Sequence, residues 1–244
     1  MRGATPGCRK AGTLPGPATF RHSKTPRPGC SPPPNPPPLI AGEGSFRARI
    51  RAAATIASMP APDIQQQPLP YVARLAPRTI DTITLVVIHC TELPDLADAR
   101  SYGERLLYDS GTGASGHWYI DRDGRIVEYV PATCVAHHVR GYNTHSVGIE
   151  LVNIGRFPHW YDSRHQAMDA PFPHAQITAL VALLAHLQRT LPALREIAGH
   201  EDLDTERVQA SDDPALTVPR KRDPGPMFPW NAVLAQVPLR RIGV

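Results

Sequence analysis

The apolar pattern along the chain predicts buried strands and one long amphipathic helix. Residues 84–88 form a β-branched apolar run that is typical of a buried strand, and residues 146–152 have the same character. From Ile177 to Leu191, apolar side chains recur every three or four positions, which predicts an amphipathic helix. These three segments are the most regular of the chain and indicate a sheet with a helix packed on it.

The remaining predicted elements are shorter. Strands at residues 117–121 and 125–130 flank Arg122-Asp123-Gly124, and Asp-Gly is typical of a hairpin turn. We also predict a helix over residues 96–108, a short strand over Glu196–Gly199 and a last short helix over residues 230–237. Because strands and helices mix without strict alternation, the predicted fold class is α/β, a single domain with a central mixed β-sheet flanked by helices.

Composition separates the first 58 residues from the rest. They hold 11 of the 28 prolines and nine of the 26 Lys and Arg residues, but one of the 22 Asp and Glu residues. Such a segment cannot bury enough apolar surface to fold alone, so we expect residues 1–58 to be a disordered, Pro-rich basic tail. Met59 is a candidate native start, which would leave this tail outside the native protein. We expect residues 59–82 to be a lead-in segment and residues 83–238 to be the folded domain.

The charge distribution excludes some classes of function. The formal net charge of +4 comes from the tail, and the rest is mildly acidic, which argues against a nucleic-acid partner. No stretch approaches the ~20 apolar residues that span a bilayer. The four cysteines contain no CxxC pair, so free thiols are expected rather than a disulfide framework. Without a convincing secretory signal we expect a cytoplasmic monomer, with a periplasmic or exported protein as the alternative.

Three dispersed residues suggest a metal site. His89 lies where the apolar strand of residues 84–88 ends, His200 follows the small residues Ala198-Gly199, and Asp223 lies in a turn rich in Pro and Gly. Two imidazoles and one carboxylate can hold zinc and leave its fourth position open for water. Each residue has a plainer interpretation, because strand-end histidines are often structural and no short motif links the three.

Two further residues could supply chemistry beside that site. Glu150 lies within an apolar strand, where desolvation raises the pKa of a carboxyl towards the range of a general base. Lys221 precedes Asp223 by two residues, and in an extended segment the two side chains share a face. A lysine beside a metal can stabilise an oxyanion. The alternatives are a paired buried ion for Glu150 and a solvated turn for Lys221. Cys90, adjacent to His89, is expected to face the core.

Six segments in order resemble the N-acetylmuramoyl-L-alanine amidase type 2 family, which includes bacterial anhydro-muropeptide amidases, phage amidases and animal peptidoglycan recognition proteins. The resemblance covers roughly residues 80–232. The segments are LVVIHCTE (85–92), SGHWYIDRDGRIVEYVP (115–131), VAHHV (135–139), HSVGIELVN (145–153), IAGHEDL (197–203) and RKRDPGP (220–226).

The resemblance implies an active zinc amidase, with a zinc site at strand ends. It implies hydrolysis of the amide bond between N-acetylmuramic acid and L-alanine in peptidoglycan fragments. The expected cytoplasmic location favours the 1,6-anhydro form of the sugar, as in cell-wall recycling, whereas an exported protein would act on intact murein. The implied zinc ligands are His89, His200 and Asp223. The implied catalytic residues are Glu150 and Lys221, and His117 and His138 are assigned to the substrate cleft.

Two departures and two rival functions accompany the resemblance. The segment 201–220 is longer than in compact members, and residues 153–173 form an aromatic loop; both are expected to border the cleft. A peptidoglycan-binding module without catalysis would have a broken ligand set, whereas this set is intact. A zinc peptidase acting on cell-wall peptides is the second rival, which the cleaved bond would distinguish.

Overall fold

The computed structural model of the protein describes residues 60–244, so the predicted tail and Met59 lie outside the described part. Within it, four α-helices and nine strands occur. The helices are α1 (Leu96–Gly103), α2 (His174–Thr190), α3 (His200–Leu203) and α4 (Trp230–Leu234). The strands are β1 (Ile64–Gln66), β2 (Leu85–Cys90), β3 (Trp118–Ile120), β4 (Ile126–Glu128), β5 (Ser146–Leu151), β6 (Glu196–Gly199), β7 (Arg207–Gln209), β8 (Thr217–Pro219) and β9 (Arg240–Arg241).

A seven-stranded sheet in the order β1-β4-β3-β5-β2-β6-β9 forms the centre of the fold. Only β3 and β4 are antiparallel neighbours within it, and every other neighbouring pair is parallel. This mixed sheet with helices confirms the predicted fold class. The sheet extends beyond residues 83–238 at both ends, because β1 pairs with β4 and β9 pairs with β6. Strands β7 and β8 form a separate hairpin within segment 201–220.

The central strand β2 is buried on both faces, as its continuous apolar sequence requires. Val86 and Ile88 pack in the larger core cluster with the leucines of α2, whereas Leu85 and Val87 face a smaller cluster on the opposite side. His89 follows in the second set, since successive side chains of a strand alternate between faces. The side chain of His89 therefore points away from α2.

Most predicted elements are confirmed, with shorter hairpin strands than expected, but the helix predicted over residues 96–108 ends at Gly103. The Gly103 carbonyl accepts a hydrogen bond from the Tyr71 hydroxyl, at 2.7 Å, instead of continuing the helical pattern. Leu106 and Leu107, whose spacing suggested a longer helix, are each 60% exposed in the irregular segment that follows. The final helix likewise ends at Leu234 rather than at residue 237. Among the described residues, no helix has the length and apolar character to cross a membrane.

Candidate active site

Strand register brings three chemically active side chains to one level of the sheet. His89 in β2 lies opposite Glu150 in β5, and on the other side of β2, Ile88 lies opposite Gly199, the last residue of β6. His200 thus occupies the next step of the register, beside His89. Because these strands are parallel, the side chains meet at the carboxyl ends of the strands, where α/β sheets place their sites.

The same level of the sheet contains Tyr119, which the sequence analysis did not select. Tyr119 in β3 lies opposite Glu150, and its hydroxyl lies 3.0 Å from Ser115 Oγ. Burial raises the pKa of Tyr119, and the nearby Glu150 carboxylate adds to this effect, so the phenol stays protonated. Side chains alternate between the two faces of a strand, so in the predicted hairpin strand Tyr119 faces the opposite side from Trp118 and Ile120. This alternation could have identified Tyr119 as a site residue.

Asp223 completes the cluster from a loop. Its Oδ2 atom lies 3.0 Å from His89 Nδ1 and 3.2 Å from His200 Nδ1. The backbone N–H of Glu201, at the start of α3, donates to the Asp223 carbonyl at 2.9 Å. Gly199 permits this approach, because a Cβ there would lie 2.8 Å from Pro224 Cδ. His89, His200 and Asp223 are all buried, with one ligand atom from each within 4.8 Å of the others.

The donor set fits zinc. Tetrahedral zinc with bonds of ~2.0–2.1 Å separates its ligand atoms by roughly 3.3 Å, close to the 3.0 and 3.2 Å between Asp223 Oδ2 and the two histidine nitrogens. Burial lowers the pKa of His89 to about 4, which keeps its imidazole neutral. Burial opposes ionisation of Asp223, but His200 and the hydrogen bonds from both histidines hold its pKa well below the usual range. Neutral imidazoles and an ionised carboxylate are the forms that bind metal.

An unsatisfied polar atom at the same cluster supports this fit. Asp223 Oδ1 is buried and has no hydrogen-bond partner among residues 60–244. Buried polar atoms are rarely left unpaired in folded proteins, and an ion is one of the groups that satisfies them. The cluster therefore has the donor atoms of a metal centre and a buried polar atom that a bound ion would satisfy.

A chain of hydrogen bonds orients the first histidine. His89 Nε2 lies 3.0 Å from His138 Nδ1, His138 Nε2 lies 3.2 Å from Ser146 Oγ, and that hydroxyl donates to the Tyr142 carbonyl. If His89 presents the Nδ1 lone pair to a metal, its Nε2–H donates to His138, as metal-bound histidines generally donate to a second group. Gly148 makes room for this chain, because a Cβ there would lie 2.7 Å from His138 Nδ1.

His117 lies behind His138 and outside the cavity. It is fully buried, and its ring centroid lies 5.5 Å from that of His138. Its Nδ1 accepts the Gly148 N–H at 3.0 Å, and its Nε2 lies 2.7 Å from Arg78 Nη2. Burial, followed by the Arg78 charge, lowers the pKa of His117 to about 3. The structure therefore places His117 among supporting groups rather than on the cleft surface where the sequence analysis assigned it.

The side chain of Glu150 is 14% exposed and lies beside the ligand cluster, with Oε1 at 4.0 Å from His89 Nδ1. Burial raises the pKa of Glu150 to about 8, the Asp223 charge acts in the same direction, and Lys221 opposes them. A dication at the cluster would also oppose the rise, by favouring the carboxylate. Gly116 allows the tight fit, because a Cβ there would lie 2.7 Å from Glu150 Cγ.

A cleft of about 340 Å³ opens over these residues. Lys221 lies on its wall, as do His138 and Glu150, and Lys221 is the only lysine between residues 60 and 244. Of the aromatic residues in the loop 153–173, Trp160 and Tyr161 line the cleft, whereas Phe157 and Phe172 pack against core clusters. The other lining residues include Glu92, Leu93, Ala99, Tyr102, Ser115, His137, Arg156 and Arg220.

Cys90 does not belong to the ligand cluster. Its thiol donates to the Asn153 carbonyl at a distance of 3.4 Å. Burial raises its pKa well above the usual range, with the Glu92 charge adding to the effect, so the ligand-forming thiolate is disfavoured.

A mixed α/β sheet that presents two histidines and a carboxylate beside a half-buried glutamate has the donor set of a hydrolytic metal centre. The family model described as N-acetylmuramoyl-L-alanine amidase matches residues 79–226. The chain therefore belongs to the N-acetylmuramoyl-L-alanine amidase family, the type 2 family that its six sequence segments resemble.

Two curated relatives agree with this assignment. The chain is 35% identical over 178 residues to the N-acetylmuramoyl-L-alanine amidase AmiD of Escherichia coli K12, covering 67% of this chain and 56% of AmiD. It is 33% identical over 121 residues to the 1,6-anhydro-N-acetylmuramyl-L-alanine amidase AmpD of Enterobacter cloacae, covering 46% of this chain and 51% of AmpD. The matches thus span about half the length of these relatives.

Solved structures share the fold. AmiD of E. coli, in complex with the substrate anhydro-N-acetylmuramic acid-L-Ala-D-γ-Glu-L-Lys, matches with a TM-score of 0.50 and 26% identity over 66% of this chain and 60% of that one. A selenomethionine derivative of AmpD matches with a TM-score of 0.51 and 25% identity over 71% of this chain and 94% of that one.

Proposed function

We propose that this protein is a zinc-dependent amidase that hydrolyses the bond between N-acetylmuramic acid and L-alanine in peptidoglycan-derived muropeptides. The observation that carries the proposal is the meeting of Glu150 and Lys221 with the His89–His200–Asp223 cluster in one cleft. A binding module would need the cleft but not a buried carboxyl and an amine beside a complete ligand set. Family membership supplies the bond, since both curated relatives are named for it.

His89, His200 and Asp223 would hold the zinc ion. When bound, zinc lowers the pKa of its water towards ~7 and polarises the carbonyl of the scissile amide. The chain contributes two buried imidazoles and a buried carboxylate, which line the cleft. His138, through its bond to His89 Nε2, would fix the tautomer that leaves Nδ1 free for the metal.

Glu150 would act as the general base. Its Oε1 atom lies close to the ligand cluster, and its buried carboxyl has a pKa within reach of neutral pH. It would hold the proton taken from the attacking water and deliver it to the leaving amine of L-alanine. Gly116, just before β3, and Tyr119 in β3 lie beside Glu150, which limits the orientations that its carboxyl can adopt.

Lys221 would stabilise negative charge on the amide oxygen as the tetrahedral centre forms. The amine lies on the cleft wall, and its charge is felt at both Glu150 and Asp223. A fixed positive charge in a partly dry cleft stabilises a developing oxyanion more than it would in water. We propose His117 as a support for His138 and the Gly148 backbone rather than as a substrate contact.

We propose the 1,6-anhydro form of N-acetylmuramic acid as the preferred glycan, with the cytoplasm as the site of action. AmpD is named for this form, and the AmiD structure contains it. The alternative is an exported enzyme that acts on intact murein. Comparing initial rates on purified anhydro-muropeptide and on sacculi decides between them, because a cytoplasmic recycling enzyme should strongly prefer the soluble fragment.

Mass spectrometry of the products tests the reaction itself. Incubation of the zinc-loaded protein with anhydro-N-acetylmuramyl tripeptide should release the free anhydro sugar and a peptide beginning with L-Ala. Cleavage between amino acids would instead identify a peptidase, and binding without cleavage would identify a recognition module. Either of those results would overturn the proposal.

A further inference from the structure

We infer that the buried ion pair between Glu92 and Arg156 is a positioning unit that fixes Lys221 in the cleft. The inference rests on the proposed function, in which Lys221 stabilises the oxyanion. It concerns two residues for which the sequence analysis gave no role. Both line the cleft wall beside Lys221.

The ion pair is bidentate and almost fully enclosed. Arg156 Nε donates to Glu92 Oε1 at 2.6 Å, and Arg156 Nη2 donates to Glu92 Oε2 at 2.8 Å. The side chain of Arg156 is 1% exposed and that of Glu92 is 8% exposed. The Arg156 backbone N–H also donates to Glu92 Oε1, so the carboxylate holds both the side chain and the backbone of this loop residue.

Arg156 also donates to the segment that carries Lys221 and, through Nη1, to Gln166 Oε1 at 3.3 Å. Arg156 Nη1 donates to the Pro219 carbonyl at 2.9 Å, and Nη2 also approaches the Arg220 carbonyl at 3.5 Å. Pro219 is the last residue of β8, and Lys221 follows two positions later. A single guanidinium therefore connects the end of the His89 strand to the backbone immediately before Lys221.

The surroundings of the pair show that its geometry is constrained. Glu92 adopts a left-handed backbone conformation with φ of 50°. Gly155, with φ of 49°, packs against it, and a Cβ at Gly155 would lie 2.7 Å from Glu92 Cγ. The Trp160 indole donates to the Glu92 carbonyl at 3.3 Å. Strained conformations and close packing are kept only where the structure around them dictates the geometry.

Lys221 itself has a flexible side chain, so its position depends on its backbone. The Asp223 ligand fixes the chain on one side of Lys221, and Arg156 fixes the carbonyls on the other side. Only arginine has planar donors that bind a carboxylate with two bonds and still reach the Pro219 carbonyl. Loss of this arrangement should shift the lysine in the transition state and lower kcat, with little change in KM.

The variant Arg156→Lys tests this role, because it keeps the positive charge but loses the planar fork. We expect kcat to fall about tenfold, as expected for a small misplacement of a catalytic group, with KM and zinc content unchanged. Arg164→Lys is the matched control, since Arg164 lies in the same loop and pairs with Asp162 at the surface. Equal kcat values for the two variants would overturn the inference.

A double-mutant cycle separates positioning from general stability. If Arg156 acts through Lys221, Arg156→Lys should have little further effect on kcat in a Lys221→Ala background. A merely structural role would instead reduce kcat by the same factor in both backgrounds, and that result would contradict the inference. Glu92→Gln provides a second variant of similar shape, for use if Arg156→Lys fails to fold.

A spectroscopic measurement tests the positioning without any turnover. The full chain contains Lys10, Lys24 and Lys221, so ¹³C-methylation of lysine gives few NMR signals, and Lys221→Arg assigns the one required. That signal should shift in Arg156→Lys and in Glu92→Gln, but not in Arg164→Lys. An unchanged signal in both variants would overturn the inference. Absence of hydrolysis by the wild type would overturn only the proposed function.

Discussion

The two halves of the site are built in different ways. His89, Glu150 and Tyr119 lie at one level of three adjacent strands, where backbone pairing sets the distances between them. Asp223 and Lys221 lie in a loop that follows β8, and side-chain contacts bring that loop to the sheet. The sheet half thus inherits its spacing from the fold, whereas the loop half depends on particular residues.

This difference indicates which part of the cleft can change its substrate specificity. A substitution in the sheet half disturbs a geometry shared by several strands, so few alternatives are available there. The loop half is secured by the Glu201–Asp223 backbone bond, the Gly199–Pro224 contact and the Glu92–Arg156 pair. Changes in these loops can reshape the cleft wall while the sheet half remains intact.

The largest effect on zinc binding and kcat is expected from a substitution of Asp223, which links the loop half to the histidines. Asp223→Ala removes the carboxylate that both imidazoles contact, so zinc binding should be lost and kcat should fall by about 10³-fold or more. Zinc per protein by elemental analysis, with kinetics on a muropeptide, checks this. Asp169→Ala, at an exposed loop position, is the control and should bind zinc normally. Full zinc binding by Asp223→Ala would remove Asp223 from the ligand set.

The next effect isolates the chemistry of the sheet half. Glu150→Gln keeps the shape and burial of the side chain but removes its ability to take a proton. Zinc content should be unchanged, while kcat should fall by about 10²–10⁴-fold, the usual contribution of a general base. Near-normal turnover in this variant would refute the role of Glu150.

A smaller effect should follow when the geometry of Glu150 is disturbed without changing its chemistry. Gly116→Ala places a methyl group 2.7 Å from Glu150 Cγ and 3.2 Å from the Gly148 carbonyl, so the carboxyl must move. We expect kcat to fall about tenfold or more, and thermal unfolding should show a loss of roughly 1–3 kcal/mol from overpacking. Wild-type kcat would mean that the sheet half tolerates displacement.

The smallest effect should come from the helix that borders the cleft. Asp95 caps α1 by accepting the Asp98 N–H at 2.8 Å. Asp95→Ala should cost about 1 kcal/mol of stability, with kcat unchanged, since α1 supplies only wall residues. Chemical denaturation and steady-state kinetics measure the two quantities. A fall in kcat as large as that of Gly116→Ala would place α1 within the catalytic geometry.

The apolar pattern of the sequence located the strands of the sheet half, but it gave no sign of the contacts that hold the loop half. Apolar periodicity located β2, β5 and α2, because burial on both sheet faces leaves a continuous pattern. The alternation of side chains along the strand at residues 117–121 could also have identified Tyr119 as a site residue. The interval 104–108 was assigned to a helix because its apolar residues have helical spacing, whereas in the structure they are exposed beyond Gly103.

Local pattern carries no information on the contacts that hold the loops. Glu92 and Arg156 are 64 residues apart, and nothing in either segment indicates that they pair. His117 and His138 lie in equally conspicuous motifs, yet only His138 reaches the cleft surface. Such distinctions depend on the three-dimensional path of the chain, which local residue type and spacing do not reveal.

Anomalous diffraction at the zinc edge, from crystals of the zinc-loaded protein, would locate the metal directly. We expect one strong peak bounded by His89 Nδ1, His200 Nδ1 and an Asp223 carboxylate oxygen, with Glu150 and Lys221 facing its open side. A zinc ion bound elsewhere, or ligation by the Cys90 sulfur, would contradict this expectation.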